Sequence, residues 1–333
     1  MDSLTQIVLG AAVGEAVLGK RAGNKAMFYG AIAGTIPDLD ALAGLFTDTV
    51  TAIEVHRAFT HSIVFSLLSA PLFGWGISKI ERKAGVGWKA WSKLMFWCLF
   101  THPLLDSFTT WGTQLFWPLD YEVALKSIFV IDPLYTVPLL IFVVLAMRRK
   151  RQDPKRQKWN RMGLILSTSY LILSLMVKAV AFERFSDSLE KQGIFYSRMD
   201  VRPAPFNIVL WNANVEVGDA FLTGDYSLLD EDLIRFEAYP KNHHYLGHLK
   251  DARNVQRLIE ISQGWFTLSS QKGQLYFNDL RFGKINPGDP NAPFTFSYRL
   301  VPTENGVRVE EVDKEPGDVK GVLHYLWTRI KGN

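Results

Sequence analysis

Up to Phe182 the charged residues of this chain sit in short loops between long apolar runs, whereas from Glu183 onward charged and apolar residues are intermixed. That division constrains the fold more than any other feature. A helix rises 1.5 Å per residue, so about 20 mostly apolar residues span a hydrocarbon layer of about 30 Å. Six stretches come close: 4–19, 26–46, 62–80, 94–111, 128–147 and 162–182. The expected architecture is an α-helical membrane domain over residues 1–182, with about six transmembrane or membrane-embedded helices. A small α+β, mainly antiparallel-β, soluble domain is expected over 183–333. The 333 residues are enough for two domains.

Several local signals refine this outline. Gly10/Gly14 and Gly30/Gly34 have the small-xxx-small spacing that lets membrane helices approach closely. No cleaved signal peptide is expected, because Asp2 stands where a basic n-region would be and the first apolar run leads into Lys20 and Arg21. The single cysteine, Cys98, lies inside an apolar run, so no disulfide framework forms within one chain. In the C-terminal half, residues 208–226, 265–282 and 294–309 alternate and are rich in β-branched and aromatic residues, with turn signals at Lys272-Gly273 and Asn305-Gly306. Residues 249–262 carry Val255, Leu258, Ile259 and Ile261 at helical spacing.

Orientation follows from the basic residues. Lys20, Arg21 and Lys25, then Arg82, Lys83, Lys89 and Lys93, then the run between Arg148 and Arg161 occupy alternate loops. The intervening loops offer only Arg57 and Lys126. The basic loops are expected in the cytoplasm, which places a multi-pass protein in the cell membrane with its C-terminal domain extracytoplasmic. The Arg148–Arg161 run reads as a topology anchor at the lipid surface, and no nucleic-acid partner is expected.

Ionisable residues inside a membrane are costly and therefore point to function. Segment two contains Pro37-Asp38-Leu39-Asp40, segment three opens with His56-Arg57-Ala58-Phe59-Thr60-His61, segment four carries His102 and Asp106, and segment five opens with Asp132-Pro133. Counted from the cytoplasmic helix ends, Asp38 and Asp40 lie about 18–21 Å deep, His102 and Asp106 about 13 and 19 Å, Asp132 about 23 Å and His61 about 28 Å. The polar groups thus gather in the outer half of the bilayer. His102 and Asp106 are i, i+4 and share a helix face. Asp38, Asp40, His56, His61, His102 and Asp106 are standard ligands for hard-to-borderline metals, and a proton or ion pathway is the competing reading. The polar trail needed for such a pathway fades toward the cytoplasmic end, where Thr101, Ser92 and Lys93 are all that remain.

PDLD, HRAFTHS and THPLLD resemble the YdjM-type family of membrane-bound metal-dependent hydrolases over residues 1–140, HRAFTHS being the specific part. The resemblance implies one or two divalent metals, with zinc first and manganese second, held by Asp38, Asp40, His56, His61, His102 and Asp106. The His-x3-Asp pair is more distantly similar to that of zinc-dependent phospholipases C. Many members begin with Thr-His where this chain has Thr5-Gln6, so Gln6 is expected to hydrogen-bond a ligand or a water. Asp40 or Asp106 is the candidate base or bridge. Arg57 is the candidate clamp for an anionic group, its bland alternative being a pair with Glu54 or a lipid headgroup. Arg57, Thr60, Asp132 and Gln6 are the candidate substrate contacts, and a membrane lipid is the candidate substrate, as the ester or phosphoester. A partner-binding protein with a structural metal, using 183–333 as its contact surface, is the alternative. His243, His244 and His248 read as surface histidines, and Ser62 and Ser107 lack the Gly-x-Ser-x-Gly context of a nucleophile.

Overall fold

The computed structural model describes residues 1–287, 289, 292–304, 306–313 and 319–332. The chain divides into two compact units. The first comprises Met1–Ala43, Val55–Met176 and Pro205–Asn207, and the second Gly44–Glu54, Val177–Ala204 and Ile208–Asn333.

In the first unit α1 (Ser3–Ala22) and α2 (Asn24–Ala33) form a hairpin turned at Gly23, whose φ of 61° suits glycine. Asp2 caps α1 by accepting from Thr5 N, and Lys20 and Arg21 occupy its last turn, so each end meets the sign of charge it favours. The two helices touch backbone to backbone. A Cβ at Gly10 would lie 2.2 Å from the Gly30 carbonyl oxygen, and one at Gly14 would lie 2.3 Å from that of Ala26. The small-residue stripes are therefore the packing surface, as their spacing predicts. Glu15 is fully buried, yet Arg156 donates to it through Nε (2.7 Å) and Nη2 (2.5 Å), and Gln157 Nε2 donates at 2.7 Å. Both carboxylate oxygens of Glu15 thus have donors, the condition under which a buried pair is tolerated.

A 3-10 helix, Pro37–Leu45, precedes α3 (Thr49–Val55). A short 3-10 turn, Phe59–His61, then leads into α4 (Ile63–Ile80), followed by α5 (Trp88–Asp106), α6 (Pro133–Met147) and α7 (Pro154–Lys191). Among the described residues two helices, α4 and α7, are long and apolar enough to cross a membrane, not the six expected. The shortfall has local causes. The stretch 4–19 folds as α1 but is buried among its neighbours and carries Glu15. In 26–46 the helix stops after ten residues, because Gly34 and Pro37 interrupt it and Asp38 and Asp40 open the 3-10 helix. α5 brings Lys89, Lys93, His102 and Asp106 with it, and α6 is apolar but only 15 residues long. α4 and α7 expose apolar side chains, among them Leu68, Leu72 and Trp75 on one and Ile165, Ile172 and Met176 on the other. Such stripes suit lipid rather than water.

The second unit holds two antiparallel four-stranded sheets, each in sequence order. The first contains β1 (Arg198–Pro203), β2 (Leu210–Val217), β3 (Ala220–Ser227) and β4 (Phe236–Pro240). After α8 (Arg253–Ile261) comes the second sheet, with β5 (Phe266–Gln271), β6 (Gln274–Lys284), β7 (Phe294–Thr303) and β8 (Gly306–Glu311), and then α9 (Val319–Ile330). Lys272 and Gly273 both have positive φ, the two-residue turn that matches strand twist. Asn305, in the other expected turn, lies outside the described residues. The core gathers Val255 and Leu258 of α8 with Phe266, Leu268, Phe277, Tyr298 and Leu300 of the second sheet. His243 is half-buried, stacked 4.1 Å from Phe266 and donating to its carbonyl at 3.1 Å, so it is a packing residue.

Candidate metal centre

Three chain segments of the first unit deliver the site. Asp38 stands in the first turn of the Pro37–Leu45 3-10 helix. His61 ends the Phe59–His61 turn, held there because Ser62 caps α4 by accepting from Phe65 N at 3.0 Å. His102 and Asp106 lie one turn apart at the end of α5, on the shared face their spacing predicts. His61, His102 and Asp106 are fully buried, and the Asp38 side chain is 24% exposed.

The four side chains converge. His61 Nε2 and His102 Nε2 are 3.2 Å apart, and each lies 3.4 Å from Asp38 Oδ1. Asp106 Oδ2 is 3.5 Å from His61 Nε2 and 3.7 Å from His102 Nε2. All four ligand atoms fall within 4.8 Å of one another, the one such group among the described residues.

The surrounding bonds test whether a cation fits. His102 Nδ1 lies 2.7 Å from the Gly34 carbonyl oxygen, which can only accept, so that nitrogen carries the proton. His61 Nδ1 faces the Asp40 carboxylate at 3.1 Å and the Thr60 hydroxyl at 3.1 Å. Thr60 gives its own proton to Asp40 at 2.6 Å, so His61 Nδ1 is likewise a donor. In the neutral imidazoles both Nε2 lone pairs then point at each other and at two carboxylate oxygens. Asp106 Oδ2 is buried and has no hydrogen-bond partner. With both imidazoles neutral, a cation among these four electron-rich atoms would relieve their mutual repulsion, and the donor set of two imidazoles and two carboxylates is one that divalent metals accept.

The remaining expected site residues surround this group in different ways. Asp40 accepts from His56 Nδ1 (2.7 Å), Arg57 N (2.9 Å) and Thr60 Oγ1 (2.6 Å). Both Asp40 and His56 thus sit beside the four rather than among them. Gln6 Nε2 donates to Asp106 Oδ1 at 2.8 Å, and the Met1 nitrogen also donates to that oxygen. Arg57 has a φ of 66° and a buried guanidinium that donates to Thr109 Oγ1 (3.1 Å) and the Gly112 carbonyl (3.4 Å), with Nε 3.5 Å from Asp106 Oδ2. Its bland alternative partner, Glu54, pairs with Arg257 instead. Asp132 caps α6 and accepts from Tyr170 at 2.9 Å, away from the group of four. Sequence reasoning missed the Gly34 carbonyl, which orients His102; only the helix break before Pro37 hinted at a free carbonyl there.

Residues 1–183, more than half the chain and every residue of the site, match the family described as YdjM inner membrane protein. The chain belongs to the YdjM inner membrane protein family. This YdjM-family chain is also similar to an Escherichia coli (strain K12) protein named inner membrane protein YbcI, with 36% identity over 91 residues. The match covers 27% of this chain and 51% of that relative, so the chain spans about half the relative's length. No solved structure matches. Family and relative make this a membrane protein, in agreement with α4 and α7, and the described site is a possible metal-binding cluster.

Proposed function

We propose that this YdjM-family protein is a membrane-embedded metal-dependent hydrolase, with Asp38, His61, His102 and Asp106 holding one divalent metal, zinc before manganese. The observation that carries the reading is the convergence of those four ligand atoms around an unpartnered, buried Asp106 oxygen. A divalent cation held there supplies a Lewis acid for an ester or phosphoryl oxygen and a water whose pKa falls toward about 7.

The chain's own residues do the rest. Asp40 holds the His61 proton on Nδ1 and so keeps Nε2 directed at the group of four, and the Gly34 carbonyl does the same for His102. Gln6 fixes Asp106 through Oδ1 and leaves Oδ2 free to ligate. Arg57, beside Asp106, places a positive charge where an anionic phosphoester would enter. Asp38 is the exposed member, so substrate approaches from its side. The substrate class is an ester or phosphoester of a membrane lipid at the outer leaflet. The reading places the basic loops in the cytoplasm and residues 183–333 outside. The two spanning helices alone keep that orientation, since α4 is followed by Arg82 and Lys83 and α7 is preceded by Arg148–Lys150.

A purely structural metal is the second reading, favoured by four protein ligands where catalytic zinc sites typically have three. Incubating the metal-loaded protein in vesicles containing anionic and zwitterionic phospholipids separates the two. Released headgroup or fatty acid that disappears in Asp106→Ala supports the hydrolase. Metal retained with no product from any lipid class favours the structural site.

A further inference from the structure

α3 separates the two ligand-bearing segments in sequence, Asp38 and Asp40 before it and His56 to His61 after it, yet it is built into the second unit. Val50 is fully buried in the core that includes Leu246, Val255, Leu258 and Phe277. Glu54 takes two hydrogen bonds from Arg257, at 2.7 Å from Nε and 2.5 Å from Nη2, the bidentate geometry that fixes direction as well as distance. Arg257 Nη2 also donates to Thr51 Oγ1 at 3.0 Å, and Asp48 Oδ1 caps the helix by accepting from Val50 N and Thr51 N. α3 is thus gripped by apolar burial at one point and by a charged fork at another.

The site begins immediately after α3. Glu54 is two residues before His56, whose Nδ1 bonds to Asp40, and Arg57 N and Thr60 Oγ1 bond to the same carboxylate. That carboxylate faces His61 Nδ1. Residues 41–55, left free, would form a long loop whose ordering costs entropy each time the two motifs meet. Docking α3 removes most of that freedom. We propose that Arg257, acting through Glu54, is a positioning residue for the His56–His61 segment that follows α3 in the chain. Its consequence for metal affinity rests on the metal-centre reading.

The test uses the full chain in detergent. Hydrogen exchange is followed in peptides covering residues 55–62 for the wild type, Arg257→Ala, Glu54→Ala and the charge-reversed Glu54→Arg/Arg257→Glu pair. Zinc affinity is measured in parallel by competition with a chromophoric chelator. Severing the pair from either side is expected to speed exchange at 56–61 several-fold and leave β6 and β7 peptides unchanged. It should also weaken zinc about fivefold at unaltered stoichiometry. The reversed pair should recover both, which a loss of packing alone would not allow. If Arg257→Ala loosens the whole second unit, Glu54→Ala decides, since it leaves that unit's sheets intact. Unchanged exchange at 56–61 in Glu54→Ala overturns the proposal. A wild-type chain that binds no zinc contradicts the metal reading instead, and the exchange result still decides the positioning role.

Discussion

His61 and His102 meet through Nε2 at 3.2 Å because each has its other nitrogen committed to an oxygen that can only accept or has already donated. The role of Asp40 derives from that commitment. Asp40→Asn replaces a carboxylate that takes three protein donors and faces His61, and should weaken metal binding by about 10–100-fold without abolishing it, the usual cost of losing an outer partner of a ligand histidine. Competition titration checks this. Complete loss, equal to that of Asp106→Ala, would make Asp40 a ligand. At this scale the gathering of Asp38, His61, His102 and Asp106 was legible, because an ionisable residue at the edge of an apolar run needs a reason to be there. The different placement of Asp38 and Asp40 was not. They stand two apart in one motif, and only the tertiary placement of His56, Arg57 N and Thr60 decides which carboxylate is enclosed by donors. Asp132, expected as a substrate contact, caps α6, a role that an aspartate before Pro133 signals just as strongly in sequence.

The α1/α2 hairpin shows how far spacing alone reaches. Gly10 and Gly30 oppose each other so closely that any side chain must separate the helices, so Gly10→Leu should lower the thermal midpoint markedly, at a cost of at least about 1–3 kcal/mol. Gly76, with nothing within 4 Å of a built Cβ, is the control. Gly76→Ala should stabilise α4 by about 0.5–1 kcal/mol. Thermal unfolding in detergent measures both, and equal effects would contradict the packing. In the second unit, burial against Phe266 pushes the His243 pKa below its ordinary value. The unfolded chain therefore binds more protons than the native one between that lowered pKa and about 6.5, so stability rises with pH across that window. Unfolding at pH 5 should come at lower denaturant than at pH 7, and His243→Gln should flatten the difference. Of the strands, β2, β3, β5, β6, β7 and β8 overlap the runs of alternation at 208–226, 265–282 and 294–309. β1 (RMDVRP) and β4 (FEAYP) did not show, since short edge strands rich in charge and proline carry little period-2 signal.

For the whole molecule, the division into an apolar half and a mixed half was plain in the sequence, whereas the number of spanning helices was not. Hydropathy counts apolar residues without knowing which are covered by protein, so α1 and the stretch broken at Pro37 looked like lipid-facing spans. The assignment of residues 44–54 to the C-terminal unit was also invisible, because it depends on Val50 and Glu54 finding partners about two hundred residues away. Orientation is directly testable. With Cys98 replaced by serine, an impermeant maleimide should label Lys272→Cys from the outside and Lys150→Cys only after lysis, and the reverse pattern would invert the topology. The proposed chemistry of the first unit depends on the metal centre. Elemental analysis of the detergent-purified full chain, beside a His61→Ala/His102→Ala variant of equal thermal stability, tests it most directly. About one equivalent of zinc or manganese in the wild type and none in the variant is the expected result. A wild type that stays metal-free after both ions are added back would contradict it.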